Sequence, residues 1–111
     1  MERPRILESV TEEVNTGCGH LYVTIGWENG KHSPVEVRAV LGKAGGCSNC
    51  FLESLNRAIS VGLQFGIPAQ EFVRELKGHQ CPGRNLWPKE EETLSCPDGI
   101  AQILDKYTKS I

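Results

Sequence analysis

The sequence predicts an α+β domain, with a small antiparallel sheet of two to three strands packed against three helices. Three observations predict it. Between Val10 and Leu41 apolar residues recur at every second position, the period of a half-buried strand. From Cys47 onward they recur every third or fourth position, the period of a helix. Glycine, proline and asparagine punctuate the chain where one pattern gives way to the next. The 111 residues suffice for one hydrophobic core and not for two. Residues 1–9 read as an N-terminal arm or linker and residues 10–111 as a single domain.

Val10 to Asn15 supplies an edge strand. Leu21, Val23, Ile25 and Trp27 then alternate with Tyr22, Thr24 and Gly26, and Val35, Val37, Ala39 and Leu41 alternate with Glu36, Arg38 and Val40. Each set describes a strand with one face inward. Asn29-Gly30 between them signals a hairpin turn, and Pro34 lengthens the connection beyond two residues. Phe51, Leu55, Ile59 and Leu63 follow an i, i+4 spacing, with Leu52 and Ala58 widening the apolar stripe of a long helix. Ser48 or Asn49 is placed to cap that helix and Gly66 to end it. Pro68 takes the first position of a second helix, whose Phe72, Val73 and Leu76 face the core until Gly78 stops it. After a loop from Pro82 to Thr93, Ser95 and Asp98 form a capping box. A third helix follows, with Ile100, Ala101, Ile103, Leu104 and Tyr107 inward.

The formal net charge is −2, with acidic and basic residues interspersed. No basic face is available to displace counterions from phosphates, so nucleic acid is not an expected partner. No apolar run approaches the roughly 20 residues of a spanning helix. Charged residues from Met1 to Arg5 stand where a signal peptide needs an apolar stretch. A cytoplasmic location away from membranes is therefore expected. Five cysteines in a reducing compartment point to metal ligation, redox chemistry or core filling before disulfides.

Four of those cysteines lie at element junctions. Cys18 sits between Gly17 and Gly19 at the entrance to a strand, Cys47 opens the long helix, Cys81 follows the second helix and Cys96 opens the third. The start of a helix presents unpaired amides and a partial positive charge that favour a thiolate, a setting shared by Cys47 and Cys96. Four thiolates at about 2.3 Å make a closed structural zinc site. The competing reading is that the thiols simply fill the core. Cys50, three residues after Cys47 and inside the helix, reads first as a buried core thiol. Otherwise it reads as an alternative ligand or as the partner of Cys47 in a redox dithiol.

Other groups offer weaker chemistry. Lys43, Gly45 and Gly46 belong to a glycine-rich turn, Gly42 to Gly46, between a strand and a helix, where a phosphate can bind. The turn lacks the order of a P-loop, and its glycines serve equally to make a sharp turn before Cys47. His20 and His79 each lie two residues from a cysteine and read as ordinary polar or supporting residues, with ligation as the alternative. His32 and Glu90-Glu91-Glu92 read as solvated, and Trp87 as a loop anchor or a partner contact.

Several segments also carry a family likeness. Leu94-Ser95-Cys96-Pro97-Asp98-Gly99-Ile100-Ala101 closely resembles the Thr-Ser-Cys-Pro-Asp motif that gives the TSCPD domain its name, with Leu94 in place of the usual threonine. Thr16-Gly17-Cys18-Gly19-His20-Leu21-Tyr22-Val23-Thr24-Ile25 resembles that domain's opening strand. Leu41 to Cys47 and Leu76 to Pro82 resemble its two middle motifs, while Arg57-Ala58-Ile59-Ser60, Gly66-Ile67 and Arg3-Pro4 with Leu7 also fit. Such domains occur at the C-terminus of adenosylcobalamin-dependent (class II) ribonucleotide reductases and as stand-alone proteins, the form expected here. The resemblance implies a recurrent cysteine set at Cys18, Cys47, Cys81 and Cys96, with Cys50 outside it. It also implies a partner in a ribonucleotide reductase or another protein of nucleotide metabolism. The reductase's catalytic barrel, radical cysteine and cobalamin site need far more residues than these, so no catalytic residue is assigned. The expected function is a zinc-binding accessory module.

Overall fold

A computed structural model describes residues 4–17, 19–28, 33–42, 47–79, 93 and 95–109. Three strands, β1 (Glu8–Thr16), β2 (Gly19–Trp27) and β3 (Pro34–Leu41), are followed by three helices, α1 (Cys47–Gln64), α2 (Ala69–Leu76) and α3 (Cys96–Lys109). The α+β expectation holds, with the full three strands. The sheet is antiparallel in the order β1-β2-β3. Strand β1 begins at Glu8, so it takes up the last two residues of the predicted arm. The Asn29-Gly30 turn lies outside the described residues.

Register stacks the inward side chains in rows across the sheet. Val14 faces Leu21, which faces Leu41, and Val10 faces Ile25, which faces Val37. Leu21, Val23 and Ile25 on the central strand are wholly buried. The helices cover this one face, α1 against β3, α3 against β2 and β1, and α2 against α3. Glu12 falls in the inward register opposite Val23, a costly place for a carboxylate. It is satisfied there by Lys106 Nζ, 2.8 Å away, and by the Tyr107 hydroxyl, both from α3. Those donors hold its carboxyl below the ordinary glutamate range, the Lys106 hydrogen bond contributing most.

The buried side of α1 is Leu52, Asn56, Ile59 and Leu63. Phe51 and Ala58, expected in the core stripe, point to solvent. The reason is geometric, because an i, i+4 row advances about 40° around a helix at each step. A row that ends in the core at Ile59 and Leu63 therefore begins outside it at Phe51. Neither Ser48 nor Asn49 acts as the expected cap. The helix is already under way at Cys47, and the Asn49 amide bonds both backbone groups of Leu41. The far end of α1 is as expected. Gly66 (φ +97°) takes the left-handed conformation, with Gly66 N–H donating to Leu63 O and Ile67 N–H to Gly62 O. Pro68 stands one residue before α2, as its N-cap in extended conformation, and not at its first helical position.

A row of polar side chains along α1 closes the outer edge of β3. Asn49 bonds Leu41 N–H and C=O, and Asn56 donates to Ala39 O at 2.9 Å. Ser60 serves Val37 N–H and C=O, while Gln64 donates to Val35 O. Alternate residues of an edge strand turn their backbone groups outward, where another chain could pair with them. Here the helix takes the place of that missing strand.

Candidate metal centre

Side-chain and backbone bonds tie four element junctions together at one end of the sheet. The β1–β2 connection is closed by the Thr16 hydroxyl, which donates to Gly19 O at 2.9 Å. The same hydroxyl lies 3.9 Å from Cys96 Sγ, so the turn abuts the first residue of α3. Next, Gly42 N–H donates to His20 O, which sets the exit of β3 beside the entrance of β2. The Asn49 clamp on Leu41, at 3.1 and 3.3 Å, then holds the first turn of α1 to that exit.

The fourth tether is Asp98. Its backbone N–H donates the capping bond to Ser95 Oγ at 3.0 Å, as the spacing predicts. Its carboxylate reaches two further groups: Oδ1 accepts Gly78 N–H at 2.8 Å, and Oδ2 accepts Gln102 Nε2 at 2.9 Å. The end of α2 is thereby fastened to the start of α3. Gly99 allows the close seating of α3 on the sheet, since a Cβ there would stand 3.1 Å from Leu21 Cδ2 and 3.5 Å from Val14 Cγ1.

Of the predicted ligands, Cys47 is exposed in the first turn of α1 and Cys96 is buried in the first turn of α3. Cys18 and Cys81 lie outside the described residues. Among the described residues no group of three or more His, Cys, Asp or Glu side chains is gathered to hold a metal ion. Cys50 is exposed, which corrects its reading as a core thiol. One turn of helix carries it to Ser54 and a second to Arg57, and that side faces away from Leu52 and Ile59.

His20 stands on the outer face of the sheet with Nδ1 2.8 Å from Glu13 Oε2, in the role of an ordinary polar residue. The same Glu13 raises the neighbouring Tyr22 hydroxyl above its usual value, by charge first and hydrogen bonding second. His79 is exposed just beyond α2. Lys43, Gly45 and Gly46 fall outside the described residues, as do His32, Trp87 and Glu90 to Glu92. Gly42, the described member of the glycine turn, has its amide committed to His20 O. A groove of about 600 Å³ runs between β3 and α1, lined by Arg38, Glu53, Asn56 and Arg57 among others. Its lining carries charges of both signs, Glu36 and Glu53 with Arg38 and Arg57.

Sequence reasoning missed Asn49 and Asp98 as the tethers of this end, and Thr16 as the neighbour of Cys96. Asp98 carried a visible signal, since a short acid three residues after a capping serine is a poor reciprocal cap and is free to bond elsewhere. Asn49, Asn56, Ser60 and Gln64 also left a trace, as a polar row running beside the apolar stripe of one helix.

The fold and its tethered end define a small α+β domain with cysteines at the junctions of its elements. The model of the TSCPD domain matches residues 1–108, nearly the whole chain, and the protein belongs to that family. No curated protein and no solved structure matches it. Among the described residues no helix is long and apolar enough to cross a membrane.

Proposed function

We propose that the protein is a non-catalytic accessory module stabilised by one structural zinc ion, with Cys18, Cys47, Cys81 and Cys96 as ligands. The observation that carries this reading is the tethering of four junctions at one end of the sheet, because each junction bears one of the four cysteines. Cys18 is two residues from Thr16, and Cys81 is three from Gly78. Thr16 and Gly78 are the described anchors of those two stretches of sequence. Both anchors contact the first turn of α3, where Cys96 lies. The donor set suits the ion, since four soft thiolates favour a closed tetrahedral site with no open position for water. Replacing zinc with cobalt tests the ligand set: intense thiolate charge-transfer absorption supports it, and a spectrum of oxygen or nitrogen ligation counts against it.

The family supports a partner in a class II ribonucleotide reductase or another enzyme of nucleotide metabolism, on which this module acts without chemistry of its own. Capture of such an enzyme from the source cell by the purified chain tests this. A capture that recovers none counts against it.

A second reading is favoured by the exposure of both Cys47 and Cys50 in the first turn of α1, which suits a thiol redox pair. Metal ligation of Cys47 and exchange through it exclude one another. Unchanged thiol–disulfide exchange in Cys50→Ser removes this reading.

A further inference from the structure

The two borders of the sheet are finished in opposite ways. At β3 the polar row of α1 takes up outward backbone groups, and those bonds fix which residues are outward at β1. Val37 and Leu41 turn their N–H groups to Ser60 and Asn49, away from β2. Ile25 and Leu21, which face them, therefore bond on their other side, where they meet Val10 and Val14. Bonding alternates along an antiparallel strand, so Ser9, Thr11, Glu13 and Asn15 turn their N–H and C=O groups outward. The Thr11 and Thr24 hydroxyls, 2.7 Å apart, agree with this, because side chains approach most closely in pairs that exchange no backbone bond. All four outward residues are exposed. Among the described residues no group bonds their outward N–H or C=O.

An open edge of nine residues is a template for any extended chain unless something selects among them. Here charge selects. The strand carries Glu8, Glu12 and Glu13 and no lysine or arginine. A second β1 laid along the edge brings three more carboxylates, which disfavours pairing between copies. A strand with bases at matching positions gains the attraction that a copy lacks. Glu13 stands on the outer face, where it already draws His20 Nδ1 to 2.8 Å. Glu12 lies on the inner face, where an inward charge ordinarily obstructs an added strand. Lys106 and Tyr107 hold it there and lift that obstacle. Val10 and Val14, half-buried on either side of it, offer apolar contact on the same face.

We infer that β1 is the docking edge for an extended basic segment of another protein, which adds to the sheet as a fourth strand. Lysine or arginine of that segment lies opposite Glu8 and Glu13, and small apolar side chains lie opposite Val10 and Val14. Main-chain bonds to the four outward residues supply the affinity, while the carboxylates and valines select the sequence. The edge is available whether or not the cysteines hold a metal.

Amide hydrogen exchange of the full chain, followed residue by residue by NMR, tests this with the probe acetyl-Thr-Val-Lys-Thr-Thr-Val-Thr-Lys-amide, written to lie antiparallel from Asn15 to Glu8. In the free chain the four outward amides should exchange about tenfold or more faster than those of Val10, Glu12 and Val14. Probe at about 1 mM, enough to populate a weak complex, should slow those four about fivefold or more and leave Val37 and Leu41 unchanged. The same peptide with glutamate for both lysines should bind about tenfold more weakly or worse. Glu13→Lys changes an exposed side chain and leaves the ladder to β2 intact. It should reverse the order, so that a peptide with glutamate at its third position binds better than the original. Outward amides as slow as the inward ones in the free chain overturn the inference, since the edge is then already covered. Exchange that slows with protein concentration alone overturns it in favour of a second copy. Equal protection by the basic and acidic peptides, or none by either, overturns it as well.

Discussion

Replacing Asp98 with alanine removes the carboxylate that fastens α2 to α3. The loss includes one bond to Gly78 N–H and one to Gln102 Nε2, at 2.8 and 2.9 Å, from a side chain that is buried. Hydrogen bonds to a charged group each contribute about 1.5–3 kcal/mol, and a donor left without a partner adds to the loss. Both sites are only part-buried, so water recovers some of it. A destabilisation of about 3 kcal/mol is expected, a large share of the 5–15 kcal/mol that holds a domain together. Urea unfolding with chelator present isolates this effect from any metal contribution. With a urea slope near 1.5 kcal/mol/M, the midpoint should fall by about 2 M. Asp98→Asn keeps an oxygen for Gly78 and lets the Gln102 amide turn to meet the new donor, so its cost should be about 1 kcal/mol. A loss below about 1 kcal/mol in Asp98→Ala would show that the α2–α3 tether matters little, as such a loss is that of an ordinary surface change. An Asp98→Asn variant as damaged as the alanine would refute the hydrogen-bond assignment.

Truncating the edge row should have two effects. Ser60→Ala exposes both backbone groups of Val37, and its expected cost is about 1–2 kcal/mol by urea unfolding. Asn56→Ala frees Ala39 O and should add a tendency to aggregate through the uncovered edge, read by light scattering; neither effect would mean the row is not protecting β3. Glu12 links stability to pH. Its folded-state pKa is lowered by Lys106 and Tyr107, so its contribution is present above the unfolded value and lost as pH falls through the folded one. Thermal melts should show wild type losing its margin over Glu12→Gln as pH drops below the ordinary 4.5. The same contact raises the Lys106 and Tyr107 pKa values, so their contribution is present below the ordinary 10.5 and 10.0 and lost as pH rises through the raised ones. An acid limb as steep in Glu12→Gln as in wild type would contradict the pairing.

The strands were legible because their signal is local: Leu21, Val23 and Ile25 alternate in sequence and are buried together. Helix α3 was legible for the same reason, with its serine cap and inward Ile100, Ala101, Ile103 and Leu104. Phasing within α1 was not. The apolar residues Phe51 and Ala58 face solvent while polar Asn56 faces the core, so hydrophobicity alone turned the helix the wrong way at its start. Cys50 was misread through the same error. The junctions carried a signal in their glycines and cysteines, but their convergence depends on how far Asn49 and Asp98 reach in space. No periodicity encodes that reach.

Native mass spectrometry of the wild type and of five single Cys→Ser variants tests the central claim most directly. The account predicts a single zinc ion on the wild type, lost or greatly weakened in Cys18→Ser, Cys47→Ser, Cys81→Ser and Cys96→Ser, and fully retained in Cys50→Ser. A wild-type chain that takes up no metal under reducing conditions with zinc supplied, or a zinc ion that leaves only when Cys50 is replaced, would contradict it.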